Sequence, residues 1–238
     1  MQSLIIFLGI ALIFSAILSN FLELAKNNKG NDFKIKDYIK NFKIKNIDIK
    51  YVFIFVILFE VLLKFVPMPN LIFYIPVVLA LILAFCLDIK YMIIPDTSSI
   101  IIVISAILKL IMNFSIDNCI NSIIGLLVGG LFFYIINIIF EFFTKKVGCG
   151  FGDIKLLASI GLFLGYKDVF VIIIMSIFLS AAFSIIFLII NYLRKVKKEY
   201  LPFGQFIVIS TLIIFIVPGA RIINSYVYLV DSLIDKLI

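Results

Sequence analysis

Histidine and tryptophan are both absent from this 238-residue chain, and cysteine occurs only three times. Without histidine there is no imidazole to act as a base or to ligate zinc, so acid–base chemistry falls to carboxylates, lysine, tyrosine or cysteine. Cys86, Cys119 and Cys149 lie far apart and form no C-x-x-C pair, which argues against a zinc knuckle or a disulfide framework; no metal is expected. Charge is scarce as well, at 15% of residues against 64% hydrophobic. A water-soluble domain has too little interior to hide that much apolar side chain, so lipid must be the solvent for much of the chain. With no tryptophan, any aromatic belt at the membrane boundary is built from Phe and Tyr.

Apolar runs predict an all-α, polytopic membrane protein with about eight transmembrane helices. They fall at 3–22, 51–66, 71–87, 98–114, 120–143, 154–164, 169–193 and 203–217. The run 154–164 is shorter than the ~20 residues that span a bilayer. The run 3–22 has neither a basic segment before it nor a small-residue cleavage site, and Lys26 and Lys29 follow it, so it reads as a retained helix with its N-terminus outside. Alternation from there puts 23–50, 88–97, 144–155 and 194–202 in the cytoplasm. These segments hold most of the 21 basic residues, which favours this orientation over its inverse. The net charge of +7 therefore reads as topology and contact with anionic lipids, not as nucleic-acid binding.

Two of the inner segments carry carboxylates pressed against apolar helices, where such groups are costly and mark candidate functional sites. Asp88 closes the run 71–87, at a C-terminal helix end whose dipole disfavours negative charge, and has no evident capping duty there. Asp96 follows Pro95 and precedes Thr97, Ser98 and a long apolar run, which is an N-cap pattern with a structural role. Asp153 follows a turn rich in glycine, with Gly148, Gly150 and Gly152 permitting positive φ and close approach of another backbone. From this pattern alone, helix cap and catalyst are both open readings of Asp153. Asp88 and Asp153 fall at the same membrane face. Two carboxylates that share a site do not both ionise easily, so one holds a proton while the other is charged. Such a pair can activate water and polarise a peptide carbonyl.

The segment Gly150-Phe151-Gly152-Asp153-Ile154-Lys155-Leu156-Leu157-Ala158-Ser159-Ile160-Gly161 resembles the extended GxGDxKLLAxxG signature of the type IV prepilin peptidase family. Asp88, with Ile94-Pro95-Asp96 downstream, is similar to that family's other aspartate segment. Leu201-Pro202-Phe203-Gly204-Gln205 resembles the PFGP opening of a late helix, with Gln205 in place of the usual proline.

The resemblance implies a membrane aspartyl protease that removes the short basic leader from type IV prepilin or pseudopilin precursors after a glycine. It implies Asp88 and Asp153 as the catalytic pair, Gly150 and Gly152 as shapers of the active-site turn, and Asp96, Lys155, Pro202 and Gly204 as supporting residues. It further implies a multi-pass protein of the cytoplasmic membrane with its active site at the cytoplasmic face. Residues 1–70 correspond to N-terminal helices with a short basic loop, 71–218 to the catalytic membrane domain and 219–238 to a tail. Proteolysis needs no cofactor. S-adenosylmethionine enters only with the N-methylating activity of many members, whose large cysteine-rich loop is replaced here by the cysteine-free stretch 26–50.

Two alternatives stand beside this reading. A preflagellin-type peptidase shares the chemistry. A proton- or cation-coupled transporter would instead use Glu60, Asp88 and Glu141 along an ion path.

Overall fold

The computed structural model describes residues 68–145, 150–194 and 202–219. They form six helices: α1 (Met68–Tyr91), α2 (Asp96–Met112), α3 (Ile116–Thr144), α4 (Phe151–Leu164), α5 (Tyr166–Arg194) and α6 (Gly204–Ile216). Each corresponds to one of the apolar runs from 71–87 onward, and no strand occurs among the described residues. The runs 3–22 and 51–66, and with them the count of eight crossings, lie outside the described residues.

Three helices are long and apolar enough to cross a membrane: Asn70–Tyr91, Ile116–Thr144 and Tyr166–Leu193. At about 1.5 Å per residue, the 24 residues of α1 exceed a hydrocarbon core of about 30 Å. The 14 residues of α4 do not reach across it. The short helix is tolerated because it is the centre of the bundle. It packs against α2, α3, α5 and α6, and Leu156 and Leu157 are fully buried. Protein packs around the middle of α4, which is how a helix too short to span is accommodated at membrane depth.

The closest of these packings is between α3 and α4. A Cβ on Gly125 would collide with the backbone of Gly161, and one on Gly129 with the backbone of Leu157. Small residues let helix backbones approach in lipid, where packing rather than hydrophobicity drives association. The outward face of α3 carries Ile123, Leu127, Leu131 and Ile135, and that of α5 carries Phe178, Ile185 and Leu188, all exposed. Apolar faces of this extent are stable against lipid, not water.

Each turn has a local cause. Met92, at φ 55, leaves the α-helical course and donates its N–H to the Asp88 carbonyl at 2.9 Å. Pro95 then disfavours helix for the residue before it and opens α2. Gly165, at φ 95, is the entire connection between α4 and α5. A side chain there would also strike the Asn121 amide, whose Oδ1 accepts the Tyr166 N–H at 3.2 Å.

Candidate active site

The last turn of α1, the linker 92–95, and the first turns of α4 and α6 converge at one end of the bundle. Asp88 is buried there. Its Oδ2 accepts the Gln205 N–H at 2.9 Å, and the Gly204 amide lies beside it. The free amides that open α6, and the positive end of its dipole, therefore face this carboxylate. This corrects the expectation that Asp88 has no capping duty: it caps a helix far away in sequence, which offsets the unfavourable end of its own helix. A proline at 205 has no N–H to donate, so this bond depends on the glutamine's backbone.

Asp153 stands in the first turn of α4, with its own N–H bonded to the Gly150 carbonyl at 3.1 Å. Its Oδ1 is buried. Gly150 is the N-cap residue at φ −67, and Gly165 is the only glycine at positive φ among the described residues. Gly150 and Gly152 thus act through close approach, one of the two uses expected from the sequence, and not through positive φ; Gly148 and Cys149 lie outside the described residues. A Cβ at Gly150 would stand 3.2 Å from Asp153 Oδ2, and one at Gly152 would stand 3.0 Å from Ile94 Cβ.

Gly204 joins the two aspartates. A Cβ built on it would lie 2.9 Å from Asp88 Oδ2, 3.1 Å from Asp153 Oδ1 and 2.6 Å from Ile94 Cδ1. The two carboxylate oxygens are therefore no farther apart than the first two distances laid end to end. Residues distant in sequence meet at one point because three helix ends meet there, and two of those ends are N-termini that favour negative charge.

Asp96 is placed differently. Pro95 holds the N-cap position, so Asp96 is the first residue inside α2, and no side-chain cap bond forms. Its Oδ1 accepts from Lys155 Nζ at 2.9 Å, with both side chains at least half exposed. This pair ties the start of α2 to the helix that carries Asp153. Pro202, half-buried, leads into Phe203, whose ring lies 5.3 Å from that of Phe133. Of the residues weighed for an ion path, Glu141 is exposed near the end of α3 and Glu60 lies outside the described residues. Among the described residues no three His, Cys, Asp or Glu side chains gather as a metal-ligand set.

The sequence reading missed the Gln205 amide and the position of Ile94. The only available signal was their membership in the short motifs, because a backbone donor and a packed methyl group leave no residue-type signature.

The fold and this site define a class: an all-helical, membrane-embedded protein that gathers two aspartates at one end of its bundle. Residues 75–185 match the type IV leader peptidase family. The prepilin leader peptidase/N-methyltransferase of Aeromonas salmonicida (strain A449) is 30% identical over 90 residues, which is 38% of this chain and 30% of that protein. The protein of the same name from Legionella pneumophila is 38% identical over 89 residues, 37% of this chain and 30% of its own length. The chain thus spans about 30% of the length of these relatives. No solved structure matches it. Asp88 and Asp153 both fall inside the matched segment, whereas Gly204 lies beyond it.

Proposed function

We propose that the chain is a membrane aspartyl endopeptidase that removes the short basic leader from type IV prepilin-like precursors after a glycine. The observation that carries this reading is the point beside Gly204 that lies about 3 Å from one carboxylate oxygen of each aspartate. Helix capping explains a carboxylate at either helix end. It gives no reason for both to share one locus.

In the proposed mechanism, one carboxylate is ionised and draws a proton from water as the water attacks the scissile carbonyl. The other is protonated, polarises the carbonyl oxygen and later protonates the leaving amine. The Gln205 N–H holds Asp88 in orientation throughout. Burial among the helix ends excludes bulk water and strengthens these interactions. The basic inner segments support a site at the cytoplasmic face of the cytoplasmic membrane, within the domain 71–218. Two carboxylates suffice for proteolysis without a cofactor. N-methylation would be a second activity, with S-adenosylmethionine as the methyl donor.

The test is co-expression with a prepilin and measurement of leader loss. Asp88→Asn and Asp153→Asn should each reduce cleavage at least about 100-fold at equal protein yield. Wild-type cleavage by either variant would sink the assignment.

A further inference from the structure

Ile94 occupies a position that neither helix capping nor the carboxylate chemistry calls for. It stands in the non-helical linker 92–95, yet it reaches both glycine segments of the site. Its Cβ would meet a side chain at Gly152 at 3.0 Å, and its Cδ1 would meet one at Gly204 at 2.6 Å. Two glycines therefore make room for one isoleucine. The locus that Cδ1 presses on is the same one that lies within about 3 Å of Asp88 Oδ2 and Asp153 Oδ1. The wedge is also stiff. Pro95 follows Ile94 and restricts its backbone to extended conformations, and a β-branched side chain has little χ1 freedom.

We propose that Ile94 is a specificity-determining residue, whose side chain fills the space beside the two carboxylates so that only glycine fits immediately before the scissile bond. This inference rests on the peptidase reading. The scissile carbonyl must come within reach of both carboxylates, which brings the α-carbon attached to that carbonyl against the Ile94 Cδ1 methyl. A hydrogen on that α-carbon is accommodated there. A methyl group would have to displace a side chain that is locked by its own backbone and packed between two helix ends. The apolar wall thus selects by exclusion, which is how a site discriminates when the substrate side chain offers nothing to bond.

The experiment compares two prepilins, one native and one with alanine replacing the glycine before the cleavage point. Each is co-expressed with the wild-type chain, Ile94→Val or Ile94→Ala, and the readout is the ratio of alanine-substrate to glycine-substrate cleavage. The ratio should rise about 10-fold or more for Ile94→Ala, the scale on which a methylene is discriminated in an apolar pocket. Ile94→Val, which removes only the Cδ1 methyl, should rise less. It also reads the effect if the alanine variant accumulates poorly. An unchanged ratio in Ile94→Val and in whatever Ile94→Ala accumulates would overturn the assignment of Ile94 while leaving the peptidase reading intact. Failure of the wild-type chain to cleave the native prepilin would instead overturn the peptidase reading, and this inference with it.

Discussion

The two ends of the helix bundle handle buried polar groups in opposite ways. At the end away from the aspartates, Lys109 of α2 donates to the Phe163 carbonyl at 2.9 Å, and its ammonium lies 4.5 Å from the centre of the Phe163 ring and 5.6 Å from that of Tyr74. Asp168 Oδ1 accepts the Gly219 N–H at 2.7 Å, and Asn121 receives the Tyr166 N–H. Each side chain there satisfies a backbone group at a helix terminus. A cation bonded to the last carbonyls of a helix is a stabilising use of charge. At the other end two carboxyl groups share a neighbourhood. Ionising both there costs energy, which the amides and dipoles of α4 and α6 reduce. Polar groups that serve the fold are matched with what the backbone leaves open. Under the proposed function, the two aspartates are brought together against their electrostatic preference, and the scaffold bears the cost.

This contrast breaks down if substitutions at the two ends have the same kind of effect. The largest expected effect is at Gly204. Gly204→Val places methyl groups where both carboxylates and Ile94 stand, and prepilin cleavage per folded molecule should fall about 100-fold, the scale of an ångström-sized misplacement. Cleavage at the wild-type rate would show that the carboxylates do not work at that locus. At the opposite end, Lys109→Met should lower stability by about 1–3 kcal/mol by leaving the Phe163 carbonyl without its donor. Thermal unfolding in detergent measures this, and cleavage by the folded fraction should be unchanged. Loss of activity at normal stability would erase the contrast.

Smaller effects sharpen it. Gln205→Pro removes one N–H while suiting the first turn of a helix, and cleavage should fall about 10-fold, because a hydrogen bond to a charged group is worth about 1.5–3 kcal/mol. Gln205→Ala retains the N–H and should behave as wild type; equal loss in both would assign the effect to the side chain. The smallest effect is expected at the Asp96–Lys155 pair. Both groups are half-exposed or more, so Asp96→Asn should cost less than about 1 kcal/mol in unfolding measurements, and less still in high salt.

The helices were legible because 3.6-residue packing in lipid needs only long apolar runs, and each of the six coincides with one. The short α4 was visible by its length alone. What the sequence could not carry was the third dimension at the site. Asp88 was read as a carboxylate with no capping duty, because the helix that it caps begins at Gly204, more than a hundred residues away. Asp96 was read as an N-cap, but Pro95 took that place, so its carboxylate turned outward to Lys155. The glycines before Asp153 are expected to permit positive φ or close approach, and Gly152 serves the second, through its contact with Ile94. Contacts without a side chain on one partner leave no periodic trace, so this kind of information appears only once helix ends are set against each other.

The central claim is that Asp88 and Asp153 form one catalytic site. The most direct measurement is the mass of a prepilin incubated with the purified chain in detergent. The wild-type protein should yield a product beginning at the residue after the cleavage glycine, and that mass also reads any added methyl group. Asp88→Asn and Asp153→Asn, purified at comparable yield, should each leave the precursor at its full mass. Appearance of the cleaved mass at the wild-type rate with either variant would contradict the account.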